Sequence, residues 1–340
     1  MEATRVITTA KGTPGRYWDR TTTYFPPSDL PGVLGVALGG VNARRVNDII
    51  DVFRLRRRGS LYGGVVTGGT FHGLLYAAIG ALSVRRQPAH VMIDCLWYRE
   101  KTALKKALRR ALIRLAARSV YRIVVWASHE VDDYAREFGI SRDKFVYVPF
   151  HYTLDTFEDP ITDGGYLFSG GDGDRDYAML IEAVRGLDIP VKICTRRLET
   201  FEKMKVPAHV KLYSPEPVEF RKMMAGASLT VVAMAGGLLH SGGQQTCLNA
   251  MAMGKPTIAV GKRWASDLIE DGKTGLILDY GDIDGLRNAI QSILEAPERA
   301  ALIARQGKEH ALTLTTERCM REVHRIACEG SQQASDARPA

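Results

Sequence analysis

The chain reads as an α/β protein of two parallel-sheet domains in tandem. Three observations lead there: its length, the alternation of short β-branched runs with helical-period segments, and a polar interruption midway. At 340 residues it exceeds what one hydrophobic core usually organises. Apolar runs at residues 34–38, 64–67, 89–93, 123–127 and 145–149 alternate with helical patterns, and a second series follows at 166–169, 191–195, 210–213, 229–233, 256–260 and 274–278. Between the series lies LDTFEDPITDGG, residues 154–165, whose Pro, Gly and acidic residues suit an interdomain linker. The expected domains are residues 1–160 and 163–311, with a helix at about 312–330 returning to the first and a disordered polar tail at 329–340. Open parallel sheets bind ligands at the carboxyl ends of their strands, so a cleft where the two sheets face each other is the expected site.

Composition narrows the class. An apolar fraction of 45% with 25% charged residues excludes a disordered chain, and no stretch is apolar for long enough to span a bilayer. Cys95, Cys194, Cys247, Cys319 and Cys328 form no C-x-x-C pair and have no histidine at metal-ligand spacing. Reduced thiols in a cytoplasmic protein are expected, and the N-terminus lacks the apolar core of a signal peptide. The net charge of +8 favours an anionic partner without choosing among nucleic acid, lipid headgroups and phosphorylated substrates.

HSGGQQTCLNAMAMGKPTIAV, residues 240–260, carries the most chemistry. Gly242 and Gly243 lead into Gln244, Gln245 and Thr246, which open a helix closed by Gly254 before a strand. Glycine lets backbone approach a ligand, and the first N–H groups of a helix suit a diphosphate. A tight turn with Thr246 as a cap is the structural alternative.

This segment, with EDGKTGLILDYGDIDGLRNAIQSIL at 270–294 and YLFSGGDGDRDYAMLIEAVRGL at 166–187, resembles family-four glycosyltransferases of the GT-B fold. In that family a helix reading E-A-M-A-x-G-K-P precedes a D-G-x-T-G-L turn. The resemblance covers most of residues 163–311. It implies two Rossmann-like domains facing across a cleft, with a nucleoside-diphosphate sugar held by the second. It places Gly171 and Arg175 at the donor diphosphate together with the Gly242, Gly243 and Gln244 backbone, and Asn249 at the ribose. A guanidinium forking onto phosphate oxygens fits that role. Where the family carries paired glutamates, this chain has Ser241 and Asn249, which leaves retaining or inverting stereochemistry, and activity itself, open. The donor-binding set is therefore Gly171, Arg175, Ser241, Gly242, Gly243, Gln244, Gln245, Thr246 and Asn249. The acidic pairs Asp172/Asp174 and Asp279/Asp282 read as turns and helix caps, so neither metal nor cofactor is expected.

The first half resembles the family only weakly. Gly39 and Gly40 follow a candidate strand. His72 lies in VVTGGTFHGLL after another, where an imidazole can transfer a proton near neutrality. Asp94, at the carboxyl end of HVMID, is the candidate base for an acceptor hydroxyl, with a helix N-cap as the competing role. In KTALKKALRRALIRLAARS, Lys105, Lys106, Arg109 and Arg110 fall on one helix side and Leu104, Leu108, Leu112 and Leu115 on the other. Such a helix either lies on an anionic membrane or packs its leucines inward under a solvated basic face.

The expected activity is metal-independent glycosyl transfer from a nucleoside-diphosphate sugar to a glycolipid or polysaccharide hydroxyl in bacterial envelope polysaccharide synthesis. Peripheral attachment to the inner face of the membrane goes with it, and nucleic acid is not an expected partner. The alternatives are an inactive nucleotide-sugar-binding module, a sugar-nucleotide epimerase and a DNA-modifying glycosyltransferase of the same fold.

Overall fold

The computed structural model describes residues 5–10, 17–27, 40–84 and 87–336. The candidate strand at 34–38 and Gly39 lie outside these residues. The chain divides into one unit of Met1–Val148 with Glu317–Ala340 and a second of Pro149–Thr316.

In the first unit the strands are β1 (Val6–Thr8), β2 (Thr22–Tyr24), β3 (Gly64–Gly68), β4 (Ala89–Ile93), β5 (Val120–Val125) and β6 (Phe145–Tyr147). They form a parallel sheet in the order β2-β1-β3-β4-β5-β6. Its helices are α1 (Tyr17–Thr21), α2 (Gly40–Gly59), α3 (Thr70–Ala81), α4 (Ala103–Ala117), α5 (Ser128–Phe138) and, after the second unit, a final Thr316–Asp336 helix. Between them the second unit contributes β7 (Leu167–Gly170), β8 (Val191–Cys194), β9 (Val210–Tyr213), β10 (Leu229–Ala233), β11 (Thr257–Val260) and β12 (Leu276–Leu278). These are also parallel, in the order β12-β11-β10-β7-β8-β9. Its helices are α6 (Tyr177–Val184), α7 (Pro217–Ala225), α8 (Gln244–Ala252), α9 (Lys262–Ala265), α10 (Ile283–Glu295) and α11 (Pro297–Ala311), which makes the final helix α12.

β4 and β10 are buried along their whole length, as strands covered on both faces must be, which is why they read as unbroken apolar runs. Order within the second sheet reverses at β7 and β10, which are neighbours although far apart in sequence. Ligands of such sheets bind outside the strand ends at that reversal.

Three expectations change. The segment 154–165 is no linker: Leu154 and Phe157 pack into the apolar clusters of the second unit, Thr162 N donates to Ala225 O, and the division falls after Val148. Burial of two large apolar side chains outweighs the turn-forming composition there. The tail is not released at Glu329, because α12 continues to Asp336, with Arg325 paired to Glu322 and Glu329 and Gly330 packed against Tyr121 and Ala89.

The third concerns α4. Ile113, Ala116 and Ala117 are its buried residues, whereas Leu104, Leu108 and Leu112 are 70%, 62% and 42% exposed. Three of the basic residues instead fold onto the end of α5. Lys106 and Arg109 pair with Glu137, and Arg110 donates to Glu137 O; Arg109 also reaches Glu100 and Tyr98 O. A carboxylate and the unpaired carbonyls of a helix end within reach decide which side of α4 turns inward. Lys105 stays exposed.

Inside the first unit, His90 is 1% exposed, with its ring 4.6 Å from that of Tyr76 and Nε2 2.9 Å from Thr67 Oγ1. Burial, with His72 and Arg56 acting the same way, lowers its pKa from 6.5 to about 3. Burial also lowers that of His72, against Asp48 and Asp51. The His90 ring is neutral when folded, so below about pH 6.5 the unfolded chain binds more protons and stability falls as pH falls. Urea unfolding is expected to show a loss of about 1.4 kcal/mol per pH unit from His90 alone between about pH 6 and 5. His90→Gln should lose that share of the slope, and an unchanged slope would refute the assignment.

Candidate functional site

The candidate site is built at the carboxyl ends of β7 and β10 and the start of α8. After β7 the chain runs Gly171, Asp172, Gly173, Asp174, Arg175, Asp176. It is tied to the extension of β10, with Asp176 N donating to Ala233 O (2.8 Å) and Ala235 N donating to Asp174 O (2.9 Å). Arg175 and Met234 form an antiparallel bridge. Asp174 adopts φ 52°, a left-handed conformation that few residues other than glycine take. Asp176 caps α6 by accepting from Met179 N at 2.9 Å.

This backbone places the Arg175 guanidinium. Nε donates to Gly170 O (3.1 Å), Nη1 to Gly173 O (2.8 Å) and Nη2 to Thr246 Oγ1 (3.3 Å), and Met234 Sδ lies 2.7 Å from Nη1. Among the described residues no carboxylate lies within ion-pair distance of it. Burial lowers its pKa from the guanidinium range, against the opposing pull of Tyr177, Asp174 and Asp172. Gly171, at φ 127°, lies under the guanidinium: a methyl there would be 2.5 Å from Nη2.

Thr246 brings Arg175 to the first turn of α8. Gly243 precedes that helix at φ 86° and ψ −16°, and a methyl on it would sit 2.9 Å from Val232 Cγ1. Gln244, the first helical residue, is 6% exposed, and its Nε2 has no hydrogen-bond partner. A buried amide left unpaired costs free energy that a ligand acceptor would recover. Ser241 and Thr246 are buried, Gly242 is half-buried and Gln245 is exposed. The structure therefore brings together Gly171, Arg175, Gly242, Gly243, Gln244 and Thr246.

Asn249 lies one turn deeper and is 5% exposed, with its amide engaged: Oδ1 accepts from Thr153 N at 2.8 Å and Nδ2 donates to Thr153 Oγ1 at 3.1 Å. Gln245 Nε2 donates to the same hydroxyl at 2.7 Å. Thr153 carries no motif, so its part was invisible in sequence. Asp172 accepts from Arg196 N (2.7 Å) and Thr195 Oγ1 (3.0 Å); burial raises its pKa, and these bonds with Arg196 more than offset that. Asp282 caps α10 by accepting from Gly285 N. A pairing not anticipated from sequence joins His240 Nε2 to Asp174 Oδ2 at 3.3 Å. Its signal was only the position of each residue beside a named one, Ser241 and Arg175.

In the first unit, Asp94 is exposed at the end of β4 with φ 55°, and Trp126 Nε1 donates to its Oδ1 at 3.1 Å. It does not cap α4, which begins at Ala103 under Thr102. His72, in the first turn of α3, has a buried Nε2 without a hydrogen-bond partner. Gly40 opens α2.

Gly243→Ala is expected to cost about 1–2 kcal/mol from the left-handed backbone, with further loss from the methyl against Val232. Urea unfolding of the second unit measures it, and unaltered stability would contradict the geometry described.

Comparison with known proteins agrees with this description. Residues 196–310 match the family model described as "Glycosyl transferases group 1". A GDP-mannose-dependent alpha-(1-6)-phosphatidylinositol monomannoside mannosyltransferase of Mycolicibacterium smegmatis is 37% identical over 65 residues, 19% of this chain and 17% of that protein's length. Among solved structures, Anabaena Alr3699/HepE in complex with UDP superposes with a TM-score of 0.67 at 14% identity, covering 98% of this chain and all of that one. Sucrose-phosphate synthase from Thermosynechococcus elongatus gives 0.63 at 16% identity, covering 93% and 84%. The chain thus has the GT-B fold of these glycosyltransferases, and its second unit carries the glycosyl transferases group 1 region.

Proposed function

We propose that the protein is a glycosyltransferase that binds a nucleoside-diphosphate sugar at the start of α8 and passes the sugar to a hydroxyl of a glycolipid or polysaccharide acceptor. The observation that carries this is the Arg175 guanidinium: desolvated, held only by neutral acceptors, and linked through Thr246 to a helix start that contains an unpaired buried amide. Phosphate oxygens supply the charge and the acceptors this arrangement lacks. The relatives support a nucleotide-sugar donor, the mannosyltransferase through GDP-mannose and Anabaena HepE through its complexes with UDP and UDP-glucose. With a guanidinium and a helix dipole to neutralise the leaving diphosphate, the reading needs no metal ion. Asp94 is the proposed base for the acceptor hydroxyl.

Arg175→Ala should weaken binding of UDP-glucose or GDP-mannose by about 10–100-fold, because charge-assisted phosphate bonds are lost. Calorimetric titration measures this, and wild-type affinity would reject the donor site. A second reading, a nucleotide-sugar-binding module without transfer, is favoured by Ser241 at a position where the resemblance expects a carboxylate and by the engagement of Asn249 with Thr153. Donor hydrolysis above background by the purified protein excludes it.

The same proposal seats the protein on an anionic bilayer through α4. No helix among the described residues is long and apolar enough to cross a membrane. The exposed Leu104, Leu108 and Leu112 instead form a stripe beside exposed Lys101 and Lys105, a pattern suited to the headgroup boundary. Replacing Leu104 and Leu108 by Asn should abolish cosedimentation with phosphatidylglycerol vesicles while leaving the thermal midpoint nearly unchanged. Retained cosedimentation would refute the leucine stripe as the anchor.

A further inference from the structure

We infer that Trp126 is a positioning residue for Asp94, its indole N–H holding the carboxylate at the end of β4 in the orientation in which it accepts a proton from an acceptor hydroxyl. The inference rests on the proposed reading of Asp94 as the base and assigns that base a partner within the first unit.

β4 and β5 are neighbours in the sheet. Asp94 directly follows Ile93 and Trp126 directly follows Val125, so both stand at the carboxyl ends where such sheets take ligands. The indole Nε1 donates to Asp94 Oδ1 at 3.1 Å, while Oδ2 lies toward β3, 3.8 Å from where a methyl on Gly68 would sit. Asp94 holds this place at φ 55°, a left-handed conformation that few residues other than glycine take, and such strain gathers where a site requires it.

The tryptophan is itself held. Glu130, 4% exposed, accepts from Trp126 N and Ala127 N with one oxygen, each at 3.2 Å, and from the Tyr134 hydroxyl with the other, also at 3.2 Å. A buried carboxylate on α5 thus fixes the backbone of Trp126, and its ring, in a residue only 8% exposed, has little room to turn. Asp94, by contrast, is exposed. A fixed donor therefore orients a side chain that solvent would otherwise leave to rotate.

Chemistry gives the contact its direction. An indole N–H only donates, so it favours a carboxylate over the neutral acid, and a base must be ionised before it acts. During transfer the acceptor hydroxyl gives its proton to Asp94 as its oxygen bonds to the anomeric carbon, and the electron pair of the bond broken there leaves on the diphosphate. Water takes the place of that hydroxyl in hydrolysis. Other titratable groups beside the pair are Cys95, next to Asp94, His129 and Glu130 at the start of α5, and Cys319 and Glu322 on α12. Burial, with the charge of Asp94, pushes the Cys319 thiol up to about 12.

The test combines hydrolysis of UDP-glucose and GDP-mannose by the purified protein with the indole N–H resonances of its four tryptophans. Trp126→Phe should lower kcat about 10-fold and leave the KM for the donor within about two-fold. It should also move the acid limb of kcat to higher pH, because the charged base has lost a donor, a change that a purely structural role would not produce. Asp94→Asn should abolish turnover and shift one indole resonance, the one that Trp126→Phe removes. In the wild-type protein that resonance should titrate with the same midpoint as the acid limb, and this decides alone should Trp126→Phe fail to fold. Wild-type kcat and acid limb in Trp126→Phe beside an inactive Asp94→Asn, or no indole resonance that follows Asp94, overturns this inference and leaves the base standing. Wild-type turnover in Asp94→Asn, or no hydrolysis of either nucleotide sugar by the wild-type protein, overturns both.

Discussion

A cation can wait for an anionic ligand only if the protein does not neutralise it first, and the site in the second unit depends on that condition being met at Arg175. Three neutral acceptors, Gly170 O, Gly173 O and Thr246 Oγ1, hold the guanidinium in place. They satisfy its geometry without satisfying its charge. Two backbone hydrogen bonds to the extension of β10 fix the loop that carries it. The glycines have matching roles: Gly171 leaves room for the guanidinium, and Gly243 turns the chain so that α8 starts beside it. Each element is modest alone, and they come together because β7 and β10 are adjacent in the sheet.

The first unit shows the same competition between local partners and solvent with a different outcome. On α4, helical amphipathicity by itself points the leucines inward, yet Glu137 and the carbonyl end of α5 draw Lys106, Arg109 and Arg110 instead. The apolar stripe is left outside, where it costs free energy unless something covers it. On the proposed membrane reading, the leucines rather than the paired basic side chains would meet the surface. Asp94, meanwhile, keeps its carboxylate exposed at a strand end, where it accepts from the Trp126 indole N–H.

Much of the architecture was legible because buried parallel strands leave unbroken apolar runs: 89–93, 210–213 and 229–233 coincide with β4, β9 and β10. β1 and β2 left no apolar run to read, since VIT and TTY are broken by threonine, whereas the equally short β6 and β12, FVY and LIL, are apolar throughout. The segment 154–165 looked like a linker from its prolines and glycines, although Leu154 and Phe157 bind it to the second unit. At the site, the glycines, Arg175 and Thr246 were legible as a motif with a resemblance behind it. Thr153 and the Asp174–His240 pair were not, because hydrogen bonds between segments distant in sequence leave no spacing to read.

By itself, then, the sequence determined two parallel α/β units and a glycine-led helix start suited to phosphate, since periodicity and local backbone requirements are written in neighbouring residues. Only the tertiary structure decided which side of α4 faces water, what occupies the amide of Asn249, and that Asp174 meets His240. Those outcomes depend on which partner lies within a few ångströms, and strand order rather than chain order sets that distance.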